Sequence, residues 1–231
     1  MLSPFKMSSI GLLVLVVLGS VRLASGQAAG TLRIYLARHG QTDWNAERRL
    51  QGHSDIHLNE TGRKQAAALA ERLKGVKIDR VYSSTLSRSR ETAEIVHLAA
   101  PLESLDSLRE QKLGKFEGVR IDGSDPNGAA EWEKRSADPN DSLDGGESQE
   151  QHYARVKAAI ETIRSQSASG TILIVGHGGT NQMILRALFG LTPEQTDSIR
   201  QSNEELYLIE IAGAATPRLW KAITTANLGD L

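Results

Sequence analysis

Apolar positions along the chain fall into two alternating rhythms. Short β-rich runs occupy Thr31 to Leu36, Arg80 to Ser83, Thr171 to Val175, Glu205 to Ile211 and Arg218 to Ile223. Between them apolar residues recur at helical spacing: Ala66, Leu69, Ala70 and Leu73 within Thr61 to Lys74, and Ala93, Ile95, Val96 and Leu98 within Ser87 to Ala99. Ser148 to Ser165 repeats the pattern with Val156, Ala159, Ile160 and Ile163, and opens on Ser148 and Gln151 at the spacing of a capping box. A further helix is predicted from about Thr180 to Phe189, stopping at Gly190. Strands separated by helices predict an α/β fold: a three-layer sandwich whose central sheet is mostly parallel, with helices on both faces. The stretch Val119 to Gly146 breaks the rhythm. It mixes proline, glycine and acids around one large anchor, Trp132, and reads as an irregular insertion carrying a short helix near Ala129 to Arg135. A long segment of this kind in a compact domain is either functional or mobile.

The first 26 residues read differently from the rest. Lys6 supplies a positive start, Ile10 to Leu18 is an apolar stretch, and Ala24-Ser25-Gly26 offers the small residues of a cleavage site. The apolar run is far shorter than the ~20 residues a membrane span requires. The expectation is a cleaved export signal over 1–26 and an exported protein, periplasmic or secreted; retention of the segment as an anchor stays open. The remaining 27–231 form one domain with the insertion at 119–146, without internal repeats. The leader carries Lys6 and Arg22 and no acid, so its removal takes the formal net charge from −1 to −3. That balance argues against a nucleic-acid partner. The chain has no cysteine, so disulfides are excluded and stability rests on core packing.

Candidate chemistry sits where the β-rich runs end. The first runs into Arg38-His39-Gly40, and Thr171 to Val175 runs into Gly176-His177-Gly178-Gly179-Thr180, which then opens a helix. Two histidines, each just beyond the C-terminal end of a parallel strand, are predicted to meet at one edge of the sheet, where open α/β sheets bind ligands. Neither G-x-G-x-x-G nor G-x-x-x-x-G-K-[ST] can be matched, so a nucleotide loop is disfavoured. Arg88 falls in the first turn of the helix after the second run, Arg80 to Ser83, where the helix dipole disfavours a cation unless an anion is bound there. Arg90 reads as solvated. Glu110 and Glu117 follow in a glycine-punctuated loop. A metal site is disfavoured: no H-E-x-x-H occurs, and His53, His57, His97 and His152 read as surface or packing residues.

With these residues in place, the chain resembles the histidine phosphatase superfamily, in the branch that includes cofactor-dependent phosphoglycerate mutase and related phosphatases. The resemblance runs from Leu32 to Ile223 and rests on motifs in family order: RHGQTDWN (38–45), LQGHSDIHLNETGRKQA (50–66), YSSTLSRSRETAE (82–94), LREQKLGKFEG (108–118), GGES (145–148) and VGHGGT (175–180). It implies that His39 is a nucleophile that becomes a phosphohistidine, that Arg38, Arg88 and His177 cradle the phosphoryl oxygens, and that Glu110 is the proton donor. It further implies that Glu117 belongs to a structural turn, and that Asn45, Gln51, Gly52 and Gly178 line the phosphate or substrate. The chemistry of these side chains agrees: arginines and histidines neutralise a phosphomonoester dianion without a metal or other cofactor. Glu110 serves as acid only if its pKa is raised.

The implied partner is a small phosphorylated metabolite. Family mutases carry a paired-arginine segment followed by tyrosine and prolines before the last histidine; here that interval holds Glu131-Trp132-Glu133-Lys134-Arg135 and Asp138-Pro139. Hydrolysis is therefore expected over mutase-type phosphoryl transfer, or over noncatalytic binding of a phosphate ligand on the same fold. Trp132 and Lys134 are candidates to touch the leaving group, with Trp132 equally readable as an anchor.

Overall fold

A computed structural model describes residues 30–96, 99–213 and 216–222. The expected leader, His97, Leu98 and Ile223 lie outside the described residues. One six-stranded sheet organises the chain in the order β3-β2-β4-β1-β5-β6. β1 (Thr31–Arg38) lies between β4 (Gly170–Gly176), to which it is parallel, and β5 (Leu206–Ala212), to which it is antiparallel. β2 (Arg80–Ser84) pairs in parallel with β4 and with β3 (Leu102–Leu105), while β6 (Arg218–Ala222) closes the other edge antiparallel to β5. The predicted mostly parallel sheet is present, with β5 running against it.

The period-2 alternation of strand side chains divides the core. Ile34, Leu36, Ile172 and Ile174 pack on one face with Val156, Ile160 and Ile163 of α5 (Gln149–Gln166) and Ile184 of α6 (Gly178–Phe189). Tyr35, Ala37, Leu173 and Val175 point the other way, onto Leu69 of α2 (Glu60–Arg72) and Ala93 and Val96 of α3 (Ser87–Val96). Both faces of β1 and β4 are thus covered, which is why these strands lack the polar alternation of a half-exposed sheet. Each fully buried isoleucine or leucine contributes roughly 1.5–3 kcal/mol over its exposed state.

The insertion is better ordered than its composition suggests. α4 (Pro126–Ser136) is longer than the helix expected near 129–135, because Asp125 caps the amide of Gly128 and Pro126 occupies the first turn. Trp132 sets its ring edge against Phe116 at 5.5 Å between centroids, beside Leu113 and Leu143. Arg135 donates to both Asp141 and Asp144 and fastens the returning chain. Three elements were not expected from the pattern. They are α1 (Asp43–Ala46), β3 and α7 (Pro193–Asp197). β3 is a four-residue edge strand with Leu102 and Glu103 exposed, so it carries no apolar rhythm.

Parallel register aligns the strand ends. Arg38 stands opposite Gly176 and Ser83 opposite Val175, so three strands end at one level and His39, His177 and Ser84 leave them side by side.

Candidate active site

His39 is buried immediately beyond β1. Its backbone amide donates to Gly176 O at 3.0 Å, which extends the strand pairing by one residue. The ring Nδ1 lies 2.7 Å from Gly40 O, an atom that only accepts, so Nδ1 carries the hydrogen and Nε2 keeps its lone pair. Burial, then the guanidiniums of Arg88 and Arg38, hold this imidazole well below the usual histidine range, against the upward pull of the Gly40 carbonyl. A neutral imidazole with a fixed tautomer is the form required of a nitrogen nucleophile.

His177 lies across from it, ring centroids 5.1 Å apart. Its Nε2 is 2.7 Å from Ser84 Oγ, which already accepts from the Leu86 amide. Among the described residues Nε2 is the one acceptor paired with the Ser84 hydroxyl, and donation to it places the ring hydrogen on Nδ1, a buried atom without a protein partner. Burial, followed by Arg88, keeps His177 well below the usual value as well.

Two guanidiniums complete the cluster. Arg38 donates through Nη1 to Gln201 O at 2.9 Å, and Arg88 donates to Ser54 O at 2.8 Å and Gly52 O at 2.7 Å. The Nε atoms of both are buried and lack protein partners. Burial lowers both, Arg88 to about 10, so each stays charged at neutral pH. Orphaned buried donors are costly, and their convergence marks a ligand site.

Arg88 is held in place by a chain of contacts that begins at Glu117. That carboxylate accepts from the amides of His53 at 2.9 Å and Leu113 at 3.2 Å and from Ser54 Oγ at 2.7 Å. Gly52 sits beneath it at φ +52°, where a Cβ would come within 2.6 Å of Glu117 Oε1. Only glycine meets both demands. Glu117 thus shapes the loop whose carbonyls receive Arg88.

Glu110 occupies the opposite wall. Oε2 accepts from the Gly179 amide and Oε1 from the Thr180 amide, both at 3.0 Å, at the N-terminal end of α6. A Cβ on Gly179 would lie 2.6 Å from Oε1, so the missing side chain is what admits the carboxylate. Burial pushes Glu110 up, yet the Gly179 and Gln111 amides and Arg88 pull it the other way, and the group lies below the usual carboxylate range. The amides facing the carboxylate favour its charged form, so the raised pKa that proton donation requires is not supplied by these protein groups.

A cleft of about 680 Å³ opens over these groups, with Arg38, His39, Arg88 and Glu110 on its inner wall. Asn45, Gln51 and Gly52 line it as well. Thr42 Oγ1 contacts Asn45 Oδ1 at 3.2 Å and Gln51 Oε1 at 3.0 Å, leaving their NH2 ends as the donors available to the cleft. Gly178 lies beside Arg38, 3.7 Å from the guanidinium carbon to where a Cβ would be. Trp132 reaches the cleft while also packing on Phe116; Lys134 does not reach it, and Glu133 does.

Two histidines set aside as surface or packing residues touch the acid's surroundings. His53 donates from Nε2 to Glu110 O at 2.8 Å, and His152 is fully buried behind Thr180. The signal for His152 was in the helical register, since 152, 156, 160 and 163 share one face of α5. Arg155, one turn on, donates to the carbonyls of Ser107 and Arg109 and pairs with Glu147 at 2.7 Å, clamping the segment before Glu110.

Paired guanidiniums, an unprotonated imidazole nitrogen and a carboxylate around one cleft form a set with the charge and donors to receive an anion. Comparison with known proteins agrees. The model of the histidine phosphatase superfamily (branch 1) matches residues 34–221, and the chain belongs to that superfamily. A probable phosphoglycerate mutase GpmB of Photorhabdus laumondii is 34% identical over 183 residues, covering 78% of this chain and 85% of the relative. Among solved structures, a putative α-ribazole-5′-P phosphatase from Escherichia coli superposes with a TM-score of 0.75 at 25% identity, covering 84% of this chain and 97% of that one. A mycobacterial glucosyl-3-phosphoglycerate phosphatase in complex with VO3 gives 0.71 at 26% identity, covering 84% and 99%.

Proposed function

We propose that the protein is a phosphomonoester hydrolase that works through a phosphohistidine on His39. One observation carries the reading: the lone pair of His39 Nε2 is grouped with orphaned donors of Arg38, Arg88 and His177. Nε2 attacks phosphorus and the ester P–O bond breaks. The departing alkoxide takes a proton from Glu110. Water then attacks the phosphohistidine, gives a proton to Glu110, and inorganic phosphate leaves with His39 restored. The guanidiniums and His177 Nδ1–H neutralise the equatorial oxygens through both steps. An incoming dianion repels the Glu110 carboxylate and raises its pKa toward the range a proton donor needs.

Mutase chemistry has support in the names of the curated relatives. A bisphosphate would need further cations; Arg48, Arg49 and Arg200 also line the cleft, Arg49 paired with Glu47, while the insertion adds acids to it. Glu133, Asp138 and Asp141 line it, and Arg135 is committed to Asp141 and Asp144. Hydrolysis of a small phosphorylated metabolite is therefore the preferred reading. The leader read over 1–26 extends the proposal to action outside the cytoplasm.

Hydrolysis of an aryl phosphate in the presence of EDTA tests the assignment. Activity is expected to survive chelation, to be inhibited by vanadate and to vanish in His39→Ala, with an acid-labile phosphoenzyme trapped from the unaltered protein. Turnover that persists without His39, or that requires a divalent metal, refutes the mechanism. Binding without turnover points to a noncatalytic ligand carrier, and isomerisation of 3-phosphoglycerate primed by a bisphosphate points to a mutase.

A further inference from the structure

His152 takes no part in the proposed reaction, yet it is wholly buried on α5 beside the proposed acid. Nε2 lies 3.2 Å from Thr180 Oγ1, and Nδ1 has no protein partner. An apolar residue would fill this position without the cost of an unmatched ring nitrogen. What the ring supplies is a contact to one hydroxyl. Thr180 Oγ1 also lies 2.9 Å from Arg109 O and 3.3 Å from Glu110 Oε1. Both of those oxygens only accept, so they compete for the single hydroxyl proton, and His152 completes the set by donating its Nε2–H to Oγ1.

We propose that His152 is a positioning residue for Glu110: through the Thr180 hydroxyl it fixes the carboxylate against the first turn of α6, in the orientation from which it exchanges a proton with the leaving group. The inference rests on the reading of Glu110 as the acid. His152 is faced by Glu110 from the 109–110 segment, by Glu147 and Arg155 from its own helix region, by His53 from the 52–54 loop and by His177 from the end of β4. Glu147 and Arg155 are paired with each other. Burial holds His152 to about 4, so at neutral pH the ring acts as a hydrogen-bond donor and carries no charge. No proton passes to it. Its effect is to keep a polarised hydroxyl on the charged form of Glu110.

The test compares pH profiles of kcat/KM for an alkyl phosphate, whose alkoxide must be protonated, and for dinitrophenyl phosphate, whose phenolate departs unaided. In His152→Phe the alkaline limb on the alkyl ester is expected to move up by about one pH unit, because the charged carboxylate loses support. Thr180→Val is expected to give the same shift and the double variant no more, since both remove one relay. The dinitrophenyl profile is expected to stay in place, and His152→Gln, which keeps an N–H, to restore the alkyl profile. An unmoved limb in folded His152→Phe, an equal shift on both substrates, or additive shifts in the double variant each overturn the proposal. If His152→Phe does not fold, Thr180→Val and His152→Gln carry the comparison on their own. Failure of the parent reading is separable: it shows as His39-independent turnover in the unaltered protein.

Discussion

Gly179→Ala is the smallest change that separates catalysis from folding in this molecule. Gly179 lies in the first turn of α6, where alanine is the better helix former by up to about 1 kcal/mol. The added Cβ would nevertheless stand 2.6 Å from Glu110 Oε1 and 3.3 Å from Cδ. Relief to an ordinary contact requires the carboxylate to retreat by roughly 0.7 Å or more. That retreat stretches the two 3.0 Å bonds from the Gly179 and Thr180 amides past useful range. Misplacement of a catalytic group by about 1 Å costs on the order of 100-fold in rate. Expected, then, is a fall in kcat of about 100-fold on an alkyl phosphate, with Tm unchanged or slightly raised. The vanadate inhibition constant should hardly move, because Arg38, Arg88 and His177 are not displaced. The assay is steady-state kinetics on alkyl and dinitrophenyl esters beside a thermal melt. Undiminished kcat on the alkyl ester in a folded variant would show that Glu110, in this position, is not the proton donor.

Three further outcomes are expected. Ser84→Ala removes the hydroxyl 2.7 Å from His177 Nε2 and should raise the vanadate inhibition constant about tenfold, the worth of roughly one hydrogen bond; an unchanged constant refutes the tautomer assignment. Glu117→Ala strands the His53 and Leu113 amides and Ser54 Oγ, and should cost about 3 kcal/mol in urea unfolding while weakening vanadate, with Glu117→Gln intermediate; loss of stability at unchanged vanadate affinity would uncouple Glu117 from Arg88. Stability should also fall on acidification. His39, His177 and His152 are held below their unfolded values, so between the folded pKa and about 6.5 the unfolded chain binds more protons and gains on the native state as pH falls. His152, at about 4, contributes on the order of 3 kcal/mol of this loss, and a urea midpoint that stayed flat from pH 7 to pH 5 would contradict the buried neutral rings.

The sheet and the meeting of the two histidines were legible because each depends on local pattern. Val175-Gly176-His177 and Ala37-Arg38-His39 pair an apolar strand with a polar exit, and parallel register does the rest. Glu110 was harder to read. Its identity came through the resemblance, but its ionisation depends on two amides about 70 positions away, which only the fold brings to it. The division of labour in the turn after β4 is likewise a property of the fold, since Gly178 adjoins Arg38 while Gly179 meets the acid. β3 escaped notice because an exposed four-residue edge strand owes its shape to its neighbour β2. His152 was visible on the apolar face of its helix, yet nothing in one dimension distinguishes a packed imidazole from one that touches Thr180.

The two guanidiniums grouped with His39 are fastened to main-chain carbonyls: Arg88 to Gly52 and Ser54, Arg38 to Gln201. Carboxylate anchors would have cancelled their charge before any ligand arrived, whereas carbonyl dipoles hold them still and leave the charge unspent. Such a cavity draws in a dianion strongly and gives it up reluctantly. Inorganic phosphate carries the same oxygens as the ester it would come from, so in the proposed hydrolysis departure of product, rather than rupture of the ester, is expected to limit the cycle, with added phosphate acting as an inhibitor.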